Sequence, residues 1–100
     1  MREIMEVAKF IRKELKYADD YAYEANKHRD QYPDLAQHYH RAANEHLAIA
    51  DDLHSSATRL IESRRHTETP PPEMLKMWHW EHEMMIDEKE CIIRKLAMFK

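Results

Sequence analysis

One hundred residues make at most one domain, and 43% apolar with 35% charged residues is the balance of a folded globular chain or helical bundle. The absence of glycine, with only four prolines, excludes a turn-rich sheet protein and points to a few long helices joined by short loops. A net charge of -3 excludes strong electrostatic attraction to nucleic acid or anionic membranes, and no apolar run is long enough to span a bilayer.

Prolines divide the chain. Proline is tolerated in a helix's first turn and disfavours helix in the residue before it. Pro33 and the run Pro70–Pro72 therefore predict helix 1 over about 3–31, helix 2 over about 34–65 and helix 3 over about 71–98, with Thr69 as the cap of helix 3. At 1.5 Å per residue each is on the order of 40 Å long. The short loops predict an all-α antiparallel up-down bundle of three long helices forming a single domain.

The apolar stripe of helix 1 is Ile4, Val7, Ala8, Ile11, Leu15, Ala18, Ala22 and Ala25, with Phe10, Tyr17 and Tyr21 on its shoulder. Helix 2 reads Leu35, Tyr39, Ala42, Ala43, Ile49, Ala50, Leu53, Ala57 and Leu60. Its small residues Ala36, Ala43, Ala50 and Ala57 recur every seven positions and allow a neighbour to approach closely. Helix 3 reads Leu75, Trp78, Ile86, Ile93, Leu96 and Ala97. It also carries Met77, Trp80, Met84, Cys91 and Phe99 off that stripe. A helix apolar on two sides needs two neighbours, so Met77, Trp80, Met84 and Phe99 are the predicted interface of a homo-oligomer or a contact with a protein partner.

Polar residues on apolar faces are the candidate site. His46 lies in the helix 2 stripe, His82 in the helix 3 stripe and Glu14 on the shoulder of helix 1. Buried acids and imidazoles need a hydrogen-bond partner, a counter-charge or a metal, and facing helices of bundles use these residue types to hold iron or manganese. If the chain turns back at about residues 33 and 69, Glu14 and His82 share a layer near Asp52 and Ser56. His46 then sits roughly 15 Å further along, beside Tyr21. The expectation is therefore a Glu14–His82 pair that fixes helix register and a core His46 bonded to a tyrosine. A metal site of Glu14, His46 and His82 is the alternative. Glu24 and His28, four apart, form a helix-surface pair. Cys91 has no local histidine to activate it, and as the single cysteine it suits a reducing cytoplasm. No secretory signal is evident, so the expected location is cytoplasmic.

The order Glu14, Ala18, Tyr21, Ala22, Ala25, then PDLA at 33–36, then Leu53-His54, then the Pro-x-x-Met-x-x-x-Trp-x-Trp-x-His pattern of helix 3, resembles the ferritin-like, rubrerythrin-related bundles. It looks closest to the small versions encoded in tailed-phage and prophage genomes. Metal-binding members carry a glutamate on the first helix and Glu-x-x-His on the second. Glu14 matches the first. The second motif falls on His46 and Ile49, or one residue earlier on Glu45 and Ala48, and neither register restores it. His82 matches a histidine of the phage-type relatives. The resemblance implies the fold without intact di-iron chemistry. The resulting expectation is a non-catalytic accessory or interaction protein with no cofactor. The alternatives are a ferroxidase-type oxidoreductase holding iron or manganese in a non-standard site, and an inhibitor or adaptor of a host protein.

Overall fold

The structure, a computed structural model, describes residues 2–65 and 72–99. It holds three helices, α1 Arg2–His28, α2 Pro33–Arg65 and α3 Pro72–Met98, and no strand among the described residues. They form a rod 55 Å long and about as wide as a helix pair, at 17 × 16 Å. The predicted cap Thr69 and the prolines Pro70 and Pro71 lie outside the described residues.

The α1–α2 turn needs no glycine, and no described residue has a positive φ. The Tyr32 N–H closes α1 by donating to the His28 carbonyl at 2.9 Å, and the Tyr32 carbonyl accepts from the Ala36 N–H at 2.9 Å to open α2. Tyr32 thus stands at the N-cap and Pro33 in the first helical position, where a missing N–H costs nothing.

α1 buries Ile4, Ala8, Ile11, Leu15, Ala18, Ala22 and Ala25, the predicted stripe with Val7 at its edge. Opposite them Ala36, Ala43, Ala50 and Ala57 are all buried. Alanine on both helices brings the two backbones close, and α1 and α2 pack far more intimately than either does with α3. Arg64 bonds Glu3 at one end of the pair, while His28 stacks on Tyr39 at the other. α3 leans on α1, through Arg12–Glu81 at 2.9 Å, Lys95–Asp19, and Asn26 Nδ2 donating to the Lys95 carbonyl at 2.9 Å.

Two predicted stripes need correction. On α2, Leu35 and Ile49 are exposed, while Leu47 and Ile61 are buried. The apolar residues of α2 cover more than the arc that α1 and α3 enclose, so the predicted stripe centres on a flank that neither helix covers. On α3, Leu75, Ile86 and Ile93 are exposed, and the buried positions are Glu81, Met85 and Ile92, with Trp78 and Leu96 packed against the same core. Apolar residues circle α3, so periodicity alone marks no single inward face.

Candidate functional site

The structure brings Glu14 and His46 together and sets His82 apart. The His46 ring nitrogen Nδ1 faces Glu14 Oε2 in a hydrogen bond between two partly buried side chains. This overturns the predicted Glu14–His82 pair and the predicted spacing of Glu14 from His46. α1 ends at His28 and α2 starts at Pro33, so the chain turns back midway between them rather than at Pro33 itself. Moving the pivot by half a turn's length shifts every cross-helix partner by about five positions, or roughly 8 Å.

His46 is also the first ring of an aromatic column. It is stacked on Tyr21 with centroids 5.4 Å apart and planes at 14°, and its other neighbour is Tyr17 at 5.4 Å. Tyr21 continues to Tyr39 at 6.0 Å, Tyr39 to His28 at 5.9 Å and His28 to Tyr32 at 5.9 Å. Glu24 Oε2 accepts from the His28 Nε2–H at 3.1 Å, as the four-residue spacing predicted. The predicted tyrosine partner of His46 is therefore a stacking partner, and the polar partner is Glu14. The column runs along one flank of the α1–α2 seam.

His82 belongs to a second cluster. Its ring is 5.0 Å from that of His54, which is 6.5 Å from Trp78 with planes at 9°. His54 lies about 80° round α2 from His46, on the side that meets α3. The pair lines a small cavity of about 90 Å³ with Ile11 and Leu15 of α1, Asp51 of α2 and Lys89 of α3. Lys89 and Asp51 bridge at 2.7 Å. Burial first, and then the nearby His82, push the His54 pKa below the ordinary 6.5, with Asp51 opposing and Lys89 assisting. The unfolded chain therefore takes up the proton more readily than the folded one. The stability this group contributes is present above pH 6.5 and is lost as the pH falls below it toward the folded value. Thermal melts between pH 7.5 and 5.5 are expected to show a loss of less than about 1 kcal/mol from this site, since solvent still screens a partly buried imidazole. His54→Phe is expected to flatten that slope, and an unchanged slope would refute the assignment.

A third feature was not predicted. Glu81, one position before His82, is 4% exposed. One oxygen takes the Arg12 guanidinium, and the other, Oε2, has no hydrogen-bond partner among the described residues. The groove beside Arg12, of about 410 Å³, has a floor of Leu15 and Ile92. Glu88 on its wall is pushed above the usual carboxylate range, chiefly by burial and then by Asp19. The signal for Glu81 was a three-four spacing through Met74, Trp78, Glu81, Met85, Glu88 and Ile92, obscured by the apolar residues of the other faces.

Of the predicted interface residues, Met77, Trp80 and Met84 are exposed, Trp80 at 58%. Phe99 is instead engaged within the chain, stacked on His40 at 4.5 Å. Among the described residues, no group of three or more His, Cys, Asp or Glu is placed to hold a metal ion. Glu14 and His46 supply two ligands, and a di-iron or di-manganese centre of the ferritin kind needs several more, so these residues do not fit one. No family model, no curated protein and no solved structure matches the chain. No described helix is long and apolar enough to cross a membrane.

Proposed function

We propose that this chain is a non-catalytic interaction protein, a ferritin-like antiparallel bundle of the small phage-encoded kind that acts through its surface. The observation that carries this reading is the pairing of Glu14 with His46. The acid on the first helix and the imidazole on the second occupy the places where a metal-binding relative would keep ligands, and here they bond each other. A carboxylate and an imidazole satisfied in this way hold two helices in register and need no ion. Among the described residues, no serine, threonine or cysteine is bonded to the pair, as a nucleophile activated by the imidazole would be.

The exposed row Met77, Trp80 and Met84 on α3 is the face offered to another chain. Its test is recovery from a host-cell lysate. One protein is expected to be retained by the natural chain and lost with Trp80→Ser; equal recovery with both would refute this face. Metal analysis of untagged protein addresses the oxidoreductase alternative. Trace metal after reconstitution agrees with the proposal, and stoichiometric iron or manganese overturns it.

A further inference from the structure

α1 and α2 meet α3 on one flank of their seam. The opposite flank is open, and on both helices it is lined by rows of seven-residue spacing. On α1 these are Phe10, Tyr17 and Glu24, beside Glu14, Tyr21 and His28. On α2 they are Leu35, Ala42 and Ile49, beside Tyr39 and His46. Phe10, Tyr17, Leu35 and Ile49 are between 42% and 54% exposed. Such spacing on two adjacent helices forms the seam of a bundle and is filled by other helices.

We infer that this flank is covered by the same flank of a second copy. The two-fold axis runs along the rods, so that α1 of each copy lies against α2 of the other. The central layer is then a four-helix bundle, with both α3 helices outside. The inference rests on the reading of the chain as a protein that works by contact, and it assigns self-association to a different face from α3.

Charge supports this occupant. Among the described residues, every charged group of α1 is in an intrachain ion pair except Lys9, Lys13 and Lys27. Lys13 sits over the Phe10 ring, 5.2 Å from its centroid, at the rim of the open flank. The rim row of α2 on the same flank is His38, Glu45, Asp52 and Arg59, and its middle two, the acids Glu45 and Asp52, have no ion pair among the described residues. The two-fold sets Lys13 and Lys9 of one copy beside Glu45 and Asp52 of the other, within about one helical turn.

Area supports it as well. The chain exposes 7011 Å². A compact monomer of 12.2 kDa exposes roughly 6,000 Å². The rod leaves a surplus of about 1,000 Å², and a standard interface takes about 800 Å² from each partner.

The test is the mass in solution by sedimentation equilibrium, with circular dichroism to verify folding. The natural chain is expected at twice its chain mass in the micromolar range. Ile49→Glu and Tyr17→Glu replace exposed side chains, so the fold is retained, and each is expected to weaken the dimer at least tenfold. Lys13→Glu and Glu45→Lys are each expected to weaken it several-fold, and together to restore it. A monomer at all concentrations overturns the inference and leaves the α3 face to be judged by its own recovery experiment. A dimer indifferent to Ile49→Glu but abolished by Trp80→Ser also overturns it, and moves self-association to α3.

Discussion

Arg12→Ala is expected to destabilise the fold by about 2–4 kcal/mol, although the side chain it removes is half exposed. The reason lies across the groove. Among the described residues, Arg12 is the one ion-pair partner of Glu81, whose carboxylate is nearly sealed between the helices with its second oxygen already without a partner. Without the guanidinium, a buried charge stands alone, and the protein must either protonate it or expose it. Removing the acid instead has a different outcome. Glu81→Met fills the same space, leaves Arg12 free to reach water and is expected to be neutral or to stabilise by about 1 kcal/mol. The pair together, Arg12→Ala with Glu81→Met, should recover most of the loss. Urea denaturation of the four proteins checks this. A loss in Glu81→Met as large as in Arg12→Ala would mean that the pair supplies net stability, and the argument from desolvation would fail.

Ala43→Leu is expected to cost about 3 kcal/mol, a large effect for an added apolar group. Ala43 is fully buried where the α1 alanines meet α2, and the helices approach so closely because neither carries a longer side chain there. A leucine must push α1 and α2 apart along several turns, which also spreads Ala18, Ala22 and Ala50. The control is Ala48→Leu, the same change at an exposed position of the same helix, expected within about 0.5 kcal/mol of the natural chain. Denaturation midpoints decide it. Equal effects at the two positions would mean that the alanine seam is not tightly packed.

The helices and the α1–α2 seam were legible in the sequence for identifiable reasons. Pro33 marks a boundary by its missing N–H, and the alanines at seven-residue spacing mark a close approach because nothing else explains small residues there. The α1 stripe was readable because its opposite face is charged. The inward face of α3 was not readable, since Met77, Trp80, Ile86 and Ile93 are as apolar as the residues it buries. Glu81 went unseen because a charged residue at a core position contradicts the pattern by which core positions are found. Glu14 and His46 were both singled out, but their pairing was missed. Register between two helices depends on the pivot of the turn, and an error of two or three residues there doubles across the hairpin. The meeting of His82 with His54 was likewise visible only once α3 had been set in rotation.

The uneven packing of the three helices shapes how the molecule comes apart. α1 and α2 share an alanine seam along their length, whereas α3 adds a short apolar strip of Met85 and Ile92 with Trp78 and Leu96, polar links to α1 at Arg12, Asp19 and Asn26, and few contacts with α2 beyond Lys89–Asp51 and His82–His54. The amide protection of the chain is therefore expected to be graded, with α3 opening as a unit before the hairpin does. On refolding the order reverses. The hairpin closes through a turn of four residues and needs little loop entropy, while α3 must be brought back over the longer connection. Amides of α3 record the cheaper opening, and those of Ala18 and Ala43 record the unfolding of the whole.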